Sequence, residues 1–579
     1  MNDYQSLYEL WSTDEFFNQQ TRDELRAIAG DDQEIQERFY QSLEFGTAGL
    51  RGIIGAGTNR MNIYTVAQAT EGFARYIVSL GEEAKQRGIV ISYDSRHFSP
   101  EFAEISALVF ATHGIKVRLF DSLRPVPILS FAVRYYNCAG GVMITASHNP
   151  KQYNGFKAYG EDGSQMSPEA ADVVMKEMHS ITDIRTLSWI DKDQALADKT
   201  LEYIGKELDD AYIAMLKGLS INSDLIPGQA DMKIVYTPLH GAGNIPVRRI
   251  LKELGFNNVM VVKEQELPDP DFSTVENPNP EFREALELAI QLATKEEADL
   301  VIANDPDADR TGLAVRRADG TYQVLSGNQI GLLLMEYILS AKKQRGVLPE
   351  QSFVATTIVS TKLTKRVAQA YDVELFEVLT GFKFIGELIK DYDEFGDKHF
   401  QFGFEESFGY LAGTDVRDKD AVVASMLLAE MAATARTEGK TISDYLDDLY
   451  QKYGFGFEKT ISITMEGIAG LNKIKEALAD LRENKGARLG ELKVNALRDY
   501  QTHERVDFVS NTTEILDLPA SNVLLYELDD LDWVCVRPSG TEPKIKVYSG
   551  AYGPDAEETK ARLDEISDAA EAVIRAKLK

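Results

Sequence analysis

The sequence predicts an α/β fold made of three similar units followed by a smaller C-terminal domain of different character. Short β-rich apolar runs alternate with helical patterns, the alternation recurs three times with its parts in the same order, and residues 456–579 break the pattern. Length agrees, since 579 residues at roughly 150 per domain make about four domains.

The first unit opens with residues 89–93 (IVISY), continues through a helical pattern at 100–112 and a strand at 116–120, and closes with 141–145 (GVMIT). A second opens with 233–236 (KIVY), has a strand at 259–262 and a helical pattern at 281–293, and closes with 300–303 (LVIA). The third opens with 353–358 (FVATTI) and closes with 400–404 (FQFGF). Helical segments at 420–433 and 441–453 complete it, and 454–457 (GFGF) reads as a hinge. In the last domain two β-like runs, 533–537 (WVCVR) and 544–548 (KIKVY), flank the turn PSGTEP, and a helix at 554–577 reads as packing. The expected domains are residues 1–215, 216–325, 326–455 and 456–579.

Composition narrows the partners. Lys and Arg number 62 and Asp and Glu 92, a net charge of −30 that argues against nucleic acid or an anionic membrane. An anionic substrate would need a locally basic pocket. Cys138 and Cys535 are the only cysteines, too few for a disulfide framework or a Cys-based zinc site, so a reducing, cytoplasmic compartment is expected. The first residues are acidic and amphipathic, unlike a secretory signal. The apolar run at 330–339 is far shorter than the ~20 residues of a membrane span.

Each unit's closing strand runs into a loop rich in chemistry: ASHNP, NDPDADR and EESFGY. Ligands of open α/β sheets collect at the carboxyl ends of strands, so three such loops in equivalent places point to one cleft. Asp305, Asp307 and Asp309 form a hard, oxygen-only set suited to Mg²⁺ ahead of Ca²⁺ or Mn²⁺. An EF-hand is excluded, because Arg310 stands where its Gly is needed and Arg316 where its Glu is needed. Ser147 is the candidate nucleophile or phosphate carrier. A serine-hydrolase reading fails for want of G-x-S-x-G, and His148, adjacent in sequence, is poorly placed to deprotonate Ser147. Lys157 follows in YNGFK, and together these features suit phosphoryl transfer. Arg51 lies in the Gly-rich GTAGLRG; Arg537, Ser539, Gly540, Thr541 and Lys544 surround a turn suited to phosphate; Glu405 and Ser407 suit sugar hydroxyls.

TASHNP, DPDADR, EES and RPSGTEPK in this order resemble the α-D-phosphohexomutase superfamily, in its branch of long bacterial phosphoglucomutases and phosphopentomutase-like enzymes. The resemblance covers the chain from EFGTAGLRG onward. It implies three α/β domains with mixed sheets around a central cleft, plus a smaller α+β C-terminal domain. Residue by residue, it implies that Ser147 is the phosphoserine, that Asp305, Asp307 and Asp309 bind one Mg²⁺ with the serine phosphate, and that Arg51, Lys157, His148 and Arg310 serve transfer. Thr380, Gly381, Glu405, Ser407 and Lys419 would contact the sugar, and the RPSGT turn with Lys544 the phosphate that is not reacting. The implied reaction interconverts glucose 1-phosphate and glucose 6-phosphate through glucose 1,6-bisphosphate, in a monomer or homodimer. Pro306 and Ala308, where several relatives have Gly, and Phe408-Gly409-Tyr410 after E-x-S leave the chemistry intact and the sugar preference open. Phosphopentomutase or phosphomannomutase activity, a metal-dependent phosphatase and a sugar-phosphate binding protein remain as alternatives.

Overall fold

In the computed structural model, residues 4–44, 49–465, 467–539 and 544–579 are described. They fall into two compact units: residues 1–325 with 386–396 and 408–441, and residues 326–385 with 397–407 and 442–579.

The first unit carries two mixed sheets. Strands β1 (Leu50–Ile53), β2 (Ile89–Tyr93), β3 (Val117–Phe120), β4 (Gly140–Ile144), β5 (Tyr153–Tyr159) and β6 (Leu201–Ile204) are ordered β1-β5-β4-β2-β3-β6. Strands β7 (Ile234–Thr237), β8 (Val259–Val261), β9 (Leu300–Asn304), β10 (Thr311–Arg316) and β11 (Tyr322–Val324) are ordered β11-β10-β9-β7-β8. The parallel core β3-β2-β4 recurs as β8-β7-β9, and an antiparallel strand, β5 or β10, returns beside each closing strand. Helices cover both faces of parallel strands, which explains why residues 89–92 and 300–304 are buried one after another instead of alternately, with mainly apolar side chains. Ile91, Val142 and Ile144 are fully buried against Phe73, Phe102 and Phe110. This unit also contains three N-terminal helices, Tyr4–Thr13, Gln19–Ala27 and Asp32–Phe39, the latter two capped by Asn18 and Asp31. They bury Trp11, Phe17, Leu25 and Phe39 against Tyr64, with Trp11 stacked on Phe17 at 4.4 Å.

The second unit repeats the motif once more, with β12 (Ser352–Thr357), β13 (Glu374–Val378) and β14 (His399–Glu405) parallel in the order β13-β12-β14. Its other layer is an antiparallel sheet of seven strands that begins with a strand at Phe455–Thr464, ends with Trp533–Pro538 and Lys544–Gly553, and is backed by the helix Ala556–Lys577. GFGF is therefore no hinge loop. Phe455 already pairs with Gly553, and a Cβ on Gly456 would lie 2.7 Å from the Tyr552 ring and 2.8 Å from Leu363, so this glycine serves close packing. Among the described residues, no helix is long and apolar enough to cross a membrane.

Candidate active site

Strand β4 ends at Ile144, and the chain turns sharply at Ser147, whose φ of 53° lies in the left-handed region that non-glycine residues seldom occupy. Local hydrogen bonds specify the turn. Thr145 Oγ1 accepts from the Ser147 N–H at 2.7 Å and donates to Asp94 Oδ2 at 2.6 Å. Ser147 is buried, and its Oγ donates to Asp305 Oδ2 at 3.0 Å. The same turn brings His148 Nδ1 to 3.2 Å from Oγ, nearer than adjacency in sequence suggested. Burial, with Arg310 and Arg51 nearby, holds His148 well below the usual imidazole range, so the ring is neutral.

The second loop leaves β9 and returns on β10. Asp305 Oδ1 accepts from the backbone N–H of Asp309 at 3.1 Å and of Arg310 at 2.9 Å, closing a turn in which Ala308 has a φ of 47°. That backbone lies in the left-handed region that glycine enters most readily. Asp305, Asp307 and Asp309 are buried, and one oxygen of each lies within 4.8 Å of the others. Oδ1 of Asp307 and Oδ1 of Asp309 are buried and accept no hydrogen bond among the described residues. Buried carboxylate oxygens left without donors are costly. The arrangement fits a hard divalent cation, which would supply the missing contacts.

Cations surround the outer oxygens. On β5, opposite Met143, Lys157 points its Nζ to Asp307 Oδ2 at 2.8 Å and Asp309 Oδ2 at 3.4 Å. Burial alone would lower this ammonium's pKa, but Asp307 and Asp309 outweigh it and raise the value. Lys419, the expected sugar contact, has its Nζ 3.3 Å from Asp309 Oδ2 and 2.7 Å from Asp418 Oδ1. Asp305 has no such ammonium contact among the described residues: burial, then Asp307 and Asp309, push its carboxyl well above the usual range. Asp309 goes the other way, because Lys419, Lys157 and Arg310 overcome burial and hold it well below. Arg310 sets its Nε 3.9 Å from Asp309 Oδ1, and Arg51, exposed on β1, donates to Asn149 Oδ1 at 2.9 Å.

The second unit holds the remaining candidates. Glu405, buried at the end of β14, accepts from the Gly381 N–H at 2.9 Å. Gly381 has a φ of 126°, where a side chain would be strained, and sits beside Thr380 at the start of the helix Phe382–Phe395. Ser407 follows two residues after Glu405 and is half-buried. Arg537 faces Lys546 across the hairpin, and Ser539 N–H donates to Lys544 O at 2.7 Å. Gly540 and Thr541 lie outside the described residues.

Sequence reasoning missed the residues that hold the first loop, Asp94, Arg96 and Thr145, and the buried Asp418 that fixes Lys419. The available signal was position: Asp94 and Arg96 directly follow β2, at the same carboxyl-end level as the loops that were noticed.

Four successive stretches match the domain models of one family. Residues 42–185 match the phosphoglucomutase/phosphomannomutase alpha/beta/alpha domain I, 210–320 domain II, 326–453 domain III and 473–569 the C-terminal domain. The chain belongs to the phosphoglucomutase/phosphomannomutase family. A phosphoglucomutase of Staphylococcus aureus strain MRSA252 is 40% identical over 92% of this chain and 94% of its own length. That of strain MSSA476 is 40% identical over 89% and 91%. Among solved structures, a putative phosphomannomutase of Thermus thermophilus has a TM-score of 0.66 at 23% identity, covering 92% of this chain and 99% of that one. Parafusin, a phosphoglucomutase of Paramecium, has a TM-score of 0.67 at 18% identity, covering 93% and 96%. These two share the fold, and the expected three α/β domains with a smaller α+β C-terminal domain agree with the family's three alpha/beta/alpha domains and C-terminal domain, whose sheet is antiparallel here.

Proposed function

We propose that this family member is a phosphoglucomutase, an isomerase that interconverts glucose 1-phosphate and glucose 6-phosphate through a phosphoserine at Ser147 and a glucose 1,6-bisphosphate intermediate. One observation carries the reading: the Ser147 hydroxyl is hydrogen-bonded to a buried three-carboxylate cluster whose free oxygens await a cation, with the Lys157 ammonium on the same cluster. Relatives named phosphoglucomutase at 40% identity over most of the chain support it.

Asp305, Asp307 and Asp309, joined by an oxygen on Ser147, are the residues that would hold Mg²⁺, which when bound neutralises charge on the transferring phosphoryl group. Ser147 donates its phosphoryl group to the free hydroxyl of the sugar monophosphate; the bisphosphate turns around, and its other phosphoryl group returns to Ser147 Oγ. Lys157 is the general acid/base: as an ammonium it gives its proton to the sugar oxygen released when a phosphoryl group passes to Ser147 Oγ, and the amine so formed takes the proton of the sugar hydroxyl that attacks the phosphoserine. Arg51 and Arg310 align the phosphoryl oxygens, and a neutral His148 is left able to share a hydrogen bond with the serine oxygen. Glu405, Ser407 and the Thr380–Gly381 backbone read the sugar hydroxyls, while Arg537, Ser539 and Lys544, with Gly540 and Thr541, hold the phosphate that is not reacting. Lys419 acts from beside Asp309, where it keeps that carboxylate ionised. A cytoplasmic location agrees with free thiols at Cys138 and Cys535.

The test is a substrate panel of glucose, mannose and ribose 1-phosphates with Mg²⁺ and trace glucose 1,6-bisphosphate, run on the unaltered protein and on Ser147→Ala. Turnover of glucose 1-phosphate that is fast beside the other two and absent in the variant is expected. Equal rates on mannose or ribose would overturn the sugar assignment, and normal turnover by the variant would overturn the phosphoserine.

A further inference from the structure

Between the end of β4 and the start of β5 the chain is irregular, and carbonyl groups there are satisfied by a side chain. Four of them converge on one guanidinium. Arg96 Nη1 donates to the carbonyls of Pro150 and Tyr153 at 3.0 Å each, and Nη2 donates to those of Ser147 and Asn149. Its Nε edge lies 3.2 Å from Asp94 Oδ2, in an ion pair whose two side chains have no exposed surface. Asp94 also accepts from Ser99 Oγ and from Thr145 Oγ1, the hydroxyl that receives the Ser147 N–H.

A second segment closes over this pair. Phe272, itself buried with a φ of 46°, lays its ring 4.9 Å from the Arg96 guanidinium carbon. Its neighbour Asp271 is held from both sides, 3.2 Å from His97 Nε2 and 3.2 Å from Lys151 Nζ. Phe272 belongs to the connection after β8, in the α/β domain that also supplies Asp305. The nucleophile loop is thus tied to the carboxylate loop's own domain through Arg96.

We propose that Arg96, clamped by Asp94 and covered by Phe272, is a positioning residue that fixes Ser147 in its left-handed backbone conformation with Oγ aimed at Asp305. A strained non-glycine backbone persists only where its surroundings over-determine it, and the four-carbonyl clasp is that constraint. Lysine cannot replace it, because a single ammonium offers three donors without the planar fork. Among the described residues no hydrogen bond or ion pair joins Arg96 to the carboxylate cluster or to Lys157, so its loss displaces the serine without removing any reacting group.

The inference rests on Ser147 being the phosphoryl carrier, and the experiment separates the two. Full-length unaltered protein, Arg96→Lys and Phe272→Leu are incubated with glucose 1,6-bisphosphate and Mg²⁺; phosphoryl uptake at Ser147 is timed by intact mass, and kcat and KM for glucose 1-phosphate are measured separately. A serine displaced by about 1 Å costs on the order of 100-fold, so Arg96→Lys should lose about that factor in uptake rate and kcat with KM within about threefold. Phe272→Leu should lose roughly five- to tenfold, again in kcat. A folded Arg96→Lys with kcat within about threefold of normal, or a loss residing in KM, would overturn the clasp. If Arg96→Lys does not fold, Thr145→Val and Phe272→Leu decide by the same split: a kcat loss at unchanged KM supports the proposal, and normal kcat overturns it. No uptake by the unaltered protein would overturn the phosphoserine reading and the clasp's role with it, whereas normal uptake by the unaltered protein and by Arg96→Lys overturns the clasp alone.

Discussion

Two isosteric substitutions in the carboxylate cluster should have opposite effects on stability in the absence of metal. Asp305 faces Ser147 and two backbone N–H groups but, among the described residues, no ammonium, and its ionised form is disfavoured by burial and by two neighbouring carboxylates. Asn at 305 keeps an acceptor for both N–H groups and lets Ser147 Oγ accept instead of donate, so Asp305→Asn removes a disfavoured charge and no hydrogen bond. Asp309 is the reverse case. Its Oδ2 lies 3.4 Å from Lys157 Nζ and 3.3 Å from Lys419 Nζ, all three nearly buried, so Asp309→Asn strips two ammoniums of a shared partner. Breaking one side of a buried ion pair costs about 3–5 kcal/mol, and the contacts Lys157 and Lys419 keep with Asp307 and Asp418 place the expected cost near the low end, about 3 kcal/mol. With a urea slope of roughly 2–3 kcal/mol/M, Asp309→Asn should move the midpoint of urea unfolding in EDTA down by about 1–1.5 M, and Asp305→Asn should leave it unchanged or raise it. Saturating Mg²⁺ should raise the midpoint of the unaltered protein by mass action and leave that of Asp305→Asn nearly where it was. Equal destabilisation by both substitutions in EDTA would refute this account of the cluster's electrostatics.

Further expectations concern elements that shape the site from a distance. A Cβ on Gly241 would lie 2.5 Å from the Pro306 carbonyl oxygen and 2.7 Å from its carbonyl carbon, contacts that only a shift of the carboxylate loop relieves; Gly241→Ala should weaken Mg²⁺ binding at least about tenfold by calorimetry, and unchanged affinity would show that the loop is not seated by this approach. Burial raises the Glu377 carboxyl, but Lys362, Lys365 and Arg498 outweigh that and hold it at about 2. A depressed carboxyl pKa stabilises above the unfolded-state value and is lost as pH falls through the folded one, so the advantage of the unaltered protein over Glu377→Gln, up to about 3 kcal/mol near neutrality, should shrink between about pH 4.5 and 2 in urea titrations; a gap independent of pH contradicts it. Glu430, fully buried, accepts from Ser220 Oγ and from the backbone N–H groups of Ile221 and Asn222; Glu430→Ala should cost about 3 kcal/mol or more by leaving both N–H groups unpaired, and a loss below about 1 kcal/mol would mean that water replaces the carboxylate.

Much of this was legible in the chain because the informative residues sit where strands end. ASHNP and NDPDADR follow β4 and β9, which apolar runs marked out, and Lys157 falls into place because β5 must return antiparallel beside β4. Arg96 was illegible for a physical reason: it lies in a polar turn, YDSRH, and gains its role only when a loop some fifty residues later folds over it. The approach of His148 to the Ser147 oxygen was illegible because a left-handed residue redirects its neighbour's side chain without any trace in composition. GFGF misled because glycine marks close approach as often as freedom, and here Tyr552 occupies the space. The net charge of −30 gave no hint that Lys157, Arg310 and Lys419 gather around three aspartates.

The central claim, that Ser147 carries the phosphoryl group between two positions of one sugar, is tested most directly by intact mass of the purified protein. After incubation with glucose 1,6-bisphosphate and Mg²⁺, one phosphoryl increment should map to Ser147 and should disappear on addition of glucose 1-phosphate as the bisphosphate re-forms. A protein that turns over glucose 1-phosphate without ever carrying that increment would contradict the account.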